Sequence, residues 1–155
     1  MDMKTELLRD HEDHELLLAK LGQALEARRP TAELRRCWTD FEENLLDHLD
    51  TEERYLFSVT AQAHRLEIEQ LGAEHRQIRQ TVVGLSVSPQ LDTLNKQAID
   101  NLRVLLLAHS AHEERSLHRW LEIDEGIMAH RGVLAIRSRR ERSSARLQVA
   151  AKAGD

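Results

Sequence analysis

The chain has one cysteine, Cys37, so no internal disulfide can close it, and a reducing cytoplasmic setting is expected. Only two prolines and six glycines interrupt 155 residues, and β-branched or aromatic runs are scarce. Period-two alternation is missing too, which excludes a β architecture. No apolar run approaches the roughly 18 residues of a membrane span. The N-terminal MDMKTELLRD lacks the apolar stretch of a signal peptide. Charge of one sign is also missing, since a formal net charge of -5 selects no particular partner. What remains is rich in Leu, Ala, Glu, Gln and Arg, a composition for long helices, and its length suits one domain with a real core. Nine histidines are the unusual feature.

Hydrophobic periodicity predicts an all-α fold of four helices. The first runs from about Thr5 to Arg28 and stops before Pro30, with Thr31 as the expected N-cap of the second. The second reaches about Val59 along a seam of Leu34, Trp38, Phe41, Leu45, His48, Glu52 and Leu56, spaced four and three. The third extends from near Ala63 to about Gly84 through Ile68, Leu71, His75, Ile78 and Val82. Ser88 and Pro89 mark the next start. The fourth then runs to about Glu122 through Leu94, Ala98, Leu102, Leu105, His109, Glu113, Ser116 and Trp120. Short connections favour antiparallel neighbours, hence an up-down-up-down four-helix bundle over residues 1–122. Residues 123–155 form a basic C-terminal extension carrying Arg131, Arg137, Arg139, Arg140, Arg142, Arg146 and Lys152. Such charge can mean nucleic-acid or membrane contact. Without interleaved aromatic residues it reads instead as a fifth helix on the bundle or a solvated tail.

Two stretches share one spelling: HLDTEER from His48 and HSAHEER from His109 both read H-x-x-x-E-E-R, 61 residues apart. The same shift places His14 on His75, so each half carries a His, a second His 34 residues later, and a Glu four further on. All six positions fall on predicted inward faces. A His and a Glu four apart lie one turn apart on one helix face and can reach one ion. Carboxylates on an apolar seam cost several kcal/mol each unless neutralised or paired, and a cation removes that cost. Imidazole and carboxylate together suit iron, manganese or zinc. Two carboxylates able to bridge suggest two ions roughly 3.5–4 Å apart. None of the histidines has a Glu three residues before it, which argues against the ferritin-like E-x-x-H solution.

The order H…H-x-x-x-E…H…H-x-x-x-E, carried by His14, His48, Glu52, His75, His109 and Glu113, resembles the hemerythrin-like HHE cation-binding family. RDHEDHELL, EERYLF and AEHRQI supply similar context over about residues 5–122. The resemblance implies a four-helix bundle with a carboxylate-bridged, non-haem di-iron centre. It also implies dioxygen, peroxide or nitric oxide as ligands, with roles in oxygen binding, sensing, iron homeostasis or peroxide chemistry. Oxygen-carrying members have a fifth His four residues after the position of His75, where this chain has Arg79, and an H-x-x-x-x-D motif on the last helix, where this chain has H-x-x-x-E ending in Glu113. Reversible oxygen carriage is therefore not the expectation. A small-molecule-binding or sensing module leads, with a di-iron enzyme and a structural zinc site as alternatives.

Several neighbours leave choices open. His11 lies one turn from His14, and the 61-residue register selects His14 because His11 aligns with Gly72. His112 could be a ligand or a donor behind one, and Tyr55 could lean toward the site or pack in the core. Glu53 and Glu114 are expected to pair with Arg, Cys37 to fill core space, and His64, His118 and His130 to be surface or helix-end residues.

Overall fold

The computed structural model describes residues 2–86, 94–121, 130–138 and 140–142. Among them every regular element is helical. Helix α1 spans Met3–Glu26 and α2 spans Thr31–Glu52. A π-helical turn, Glu53–Phe57, follows α2 directly and leads into α3 (Ser58–Thr60). Then come α4 (Arg65–Ser86), α5 (Lys96–Arg115) and α6 (Leu117–Leu121). A further helix, α7, covers 130–138.

Local chemistry sets the boundaries. Asp2 caps α1 by accepting from the Thr5 backbone N–H at 2.8 Å, and Asn95 caps α5 through Ala98 in the same way. Helix α1 closes with Arg29 N–H donating to the Ala24 carbonyl and Arg28 N–H to that of Leu25, a Schellman motif. Arg28 supplies the left-handed residue, φ 51°, that such a closure requires. Thr31 is not the cap of α2. Pro30 takes that position in an extended conformation, makes no side-chain cap bond, and leaves Thr31 as the first helical residue. Ser88 and Pro89 lie outside the described residues. The expected single last helix breaks at Ser116 (φ -120°, ψ -83°), whose hydroxyl bonds back to the His112 carbonyl.

Helix α1 packs on α2 and α5, while α4 packs on α5 and α2. Their buried residues form two apolar clusters with a polar layer between them. One cluster joins Leu18, Leu21, Trp38, Phe41, Leu45, Ile78, Val82 and Leu102. The other joins Met3, Leu7, Leu56, Leu71, Leu117 and Leu121, and takes in Val133 and Ile136 of α7. Part of the basic extension is thus helix seated on the bundle. Full burial of such aliphatic side chains contributes about 1.5–3 kcal/mol each, enough to hold polar groups between the clusters.

The π turn has a local consequence. One extra residue in the turn brings both Leu56 and Phe57 inside, at 1% and 8% exposure, directly after Glu52. π turns of this kind recur beside functional sites. Tyr55 is left half-buried, and its Cβ lies near Gly132 of α7.

Candidate metal centre

The polar layer draws on every long helix. Asp10, His11 and His14 come from α1, His48 and Glu52 from α2, His75 from α4, and His109 and Glu113 from α5. Their ligand atoms gather in two groups, each within 4.8 Å: His11, His48, Glu52 and Glu113, and Glu52, His75, His109 and Glu113. The two carboxylates belong to both. Glu52 turns Oε1 toward His48 Nε2 (3.5 Å) and Oε2 toward His75 Nε2 (3.4 Å). Glu113 turns Oε2 toward His11 Nε2 (3.1 Å) and Oε1 toward His109 Nε2 (3.1 Å) and His75 Nε2 (3.7 Å). Each carboxylate therefore offers one oxygen to each pair of imidazoles.

The donor set fits cations. Both oxygens of Glu52 and Glu113, with Nε2 of His75 and His109, are buried and make no hydrogen bond, despite these close approaches. Such atoms are costly to bury unless a cation takes their lone pairs. The Nε2 atoms of His11 and His48 are 3.2 Å apart, close to the spacing of two ligands about 2.1 Å from one ion.

Metal-free, the site is electrostatically divided. Burial, together with the neighbouring Glu113, raises the Glu52 carboxyl well above its usual range. Burial would raise Glu113 as well, but His109, His11 and His75 hold it well below. Burial also opposes the His109 cation, yet Glu113 and Glu52 carry that imidazole up to about 9. For His48 burial wins over the pull of Asp10 and brings it down to about 4. The neighbourhood thus favours the neutral form of Glu52 and the ionised form of Glu113 beside His109.

Three imidazoles are oriented by carboxylates behind them, an arrangement that fixes ring tautomer and pose in metal sites. His48 Nδ1 donates to Asp10 (3.2 Å), His75 Nδ1 to Glu53 (2.9 Å) and His109 Nδ1 to Glu74 (2.7 Å). Glu53 also accepts from Arg79 at 3.1 Å. Arg79 and the His75 ring hold Glu53 below its usual range against the effect of partial burial. Glu74 also accepts from His112 Nδ1 at 2.7 Å, so His112 meets the site through Glu74 and stands outside both groups.

Five of the six sequence-selected residues enter the two groups: His48, Glu52, His75, His109 and Glu113. His14 does not, and His11 stands in the place the register gave it. His14 is buried with its ring edge-on to His48, centroids 5.0 Å apart. The reason lies in unequal hairpins. His11 and His48 are 37 residues apart, whereas His75 and His109 are 34, so one shift cannot align both helix pairs. The carboxylates behind the rings follow the same offset. Asp10, just before His11, holds His48, and Glu74, just before His75, holds His109. That acid–His dipeptide was a readable signal, although Asp13–His14 spells it too.

His118 is a second departure. Expected at the surface or at a helix end, it stands at the start of α6 but is 1% exposed, stacks on His11 with centroids 5.8 Å apart, and neither ring nitrogen makes a hydrogen bond. Burial brings its imidazole down to about 4.

A profile of the hemerythrin HHE cation-binding domain matches residues 2–121. The chain belongs to the hemerythrin HHE cation-binding family. Comparison with curated proteins and with solved structures finds no match. In this hemerythrin-like domain a cavity of about 380 Å³ reaches the His48 and His109 rings between α1, α2 and α5, past Leu8, His14, Leu106 and Leu107. Among the described residues no helix is long and apolar enough to cross a membrane.

Proposed function

We propose that this domain holds two non-haem iron ions bridged by Glu52 and Glu113, and that it binds or senses dioxygen or a related small ligand in a cytoplasmic setting. His11 and His48 would serve one ion, and His75 and His109 the other. The frame is an up-down-up-down bundle of α1, α2, α4 and α5 over residues 1–122, with 123–155 as its extension. One observation carries the reading: each buried carboxylate divides its two oxygens between the two imidazole pairs. Iron would supply a change of oxidation state and a coordination position open to a small ligand. The chain's residues do the rest. Asp10, Glu53 and Glu74 hold three rings with Nε2 inward, and the cavity gives a ligand as small as a diatomic a path to two of them, His48 and His109.

A second reading, turnover of peroxide, nitric oxide or ferrous iron, is favoured by the His14, Glu15 and Glu114 side chains on the cavity wall. Such groups can pass protons. Protein from iron-supplemented cells should contain two irons per chain, and its visible absorption should change on exposure to dioxygen. Zinc alone, or no metal, would contradict the proposal. Sustained peroxide loss over many turnovers would assign the enzyme reading.

A further inference from the structure

Behind His48 stands a residue from outside the family-matched segment. Arg140 donates from Nη2 to Asp10 Oδ1 at 2.6 Å, while Asp10 Oδ2 accepts from His48 Nδ1 at 3.2 Å. Asp10 is 0% exposed and His48 1%. Arg140 also binds the buried Glu6 carboxylate and, at 3.0 Å, the Glu6 carbonyl. The extension is anchored independently by Val133 and Ile136 in the apolar cluster and by Arg137 on Glu6. We infer that Arg140 is a positioning residue for the His48 half of the metal centre, acting through Asp10.

The physical need is specific. An ionised carboxylate accepts only, so Asp10 fixes His48 with its proton on Nδ1 and its Nε2 lone pair facing His11 and Glu52. Arg140 takes Asp10 Oδ1 and leaves Oδ2 for the imidazole, so the guanidinium pins the plane of the carboxylate that orients the ring. Removing Arg140 frees that oxygen and loosens the carboxylate, and with it the pose of His48 and the direction of its Nε2 lone pair. The basic extension thereby reaches the centre through two contacts, although the family match ends at residue 121.

This inference rests on the two-iron reading, and two measurements on the full chain separate them. Anaerobic titration of metal-free protein with ferrous iron should show two ions bound by wild type. In Arg140→Ala, affinity for one of them should fall about ten- to a hundredfold. Arg140→Lys, which restores the cation, should recover most of the loss. Arg137→Ala, which touches Glu6 but not Asp10, should bind like wild type. In the metal-free protein, imidazole ¹⁵N NMR should report the Nδ1–H form of His48 in wild type and its loss in Arg140→Ala. Should Arg140→Ala fail to fold, Arg140→Gln keeps the aliphatic stem and decides in its place. Unchanged affinities, or an unchanged His48 tautomer, would overturn the inference. Wild type that binds no iron would instead defeat the two-iron reading, and the NMR result alone would then decide the role of Arg140.

Discussion

His48 and His109 occupy the same place in the two H-x-x-x-E motifs, yet the carboxylates behind them sit in different surroundings. Asp10, behind His48, is sealed from solvent and balanced by Arg140. Glu74, behind His109, and Glu53, behind His75, are 31% and 42% exposed, so water and salt share the work of balancing them. The halves differ again at their remaining ring. His75 Nδ1 has Glu53, whereas His11 Nδ1 makes no hydrogen bond and the ring instead stacks on buried His118. One half is dry and depends on the extension. The other draws its support from the bundle itself. The duplicated H-x-x-x-E spacing thus brings candidate ligands of both halves together, while burial decides how each copy is held.

The largest effect should come from removing what the halves share. Glu113→Ala deletes a donor from both groups, so bound metal should fall from two ions per chain to nearly none by elemental analysis. Next comes a substitution that separates the halves. His11→Ala should leave about one ion per chain, while His14→Ala should leave two, because only His11 belongs to a ligand group. The reverse result would restore the 61-residue register and dismiss the geometric one.

That contrast also shows what the sequence could and could not disclose. The seam of α2 was legible because four-three spacing has one physical solution: Trp38, Phe41, Leu45, His48 and Glu52 are all buried. Five ligand-group positions were legible for the same reason, with the repeat as a second signal. The choice between His11 and His14 depended on hairpin lengths, which spacing alone does not supply. On α5 the expected seam holds at Leu102, His109 and Glu113, while Ile99 and Leu106 are buried more fully than their neighbours Ala98 and Leu105. The Arg140–Asp10 contact joins residues 130 apart in sequence and obeys no periodicity. Burial of His118 follows the break at Ser116, which turns α6 inward where a continuous helix had been expected.

A pH experiment probes the dry half. His118 is neutral in the folded chain down to about 4, against an ordinary value of 6.5. The unfolded chain therefore binds the extra proton first, and metal-free protein loses stability as pH falls from about 6.5 to about 4. His118→Phe should remove that contribution, a slope of up to about 1.4 kcal/mol per pH unit in urea unfolding. Identical slopes in the two proteins would show that the ring is not neutral inside.

The smallest effect should fall on the wetter half. Arg79→Ala removes a cation from Glu53, but both side chains are partly exposed, at 27% and 42%. Exposed pairs are worth roughly 0–1 kcal/mol. Ferrous-iron affinity should accordingly change by less than about fivefold, well short of the loss expected for Arg140→Ala. Equal losses in the two variants would erase the distinction between the halves.

The most direct test is anomalous X-ray scattering at the iron edge from crystals of the iron-loaded protein. Two peaks are predicted, both touching Glu52 and Glu113, one beside His11 and His48 and the other beside His75 and His109. A single peak, or peaks that do not share the two carboxylates, would contradict a two-iron centre.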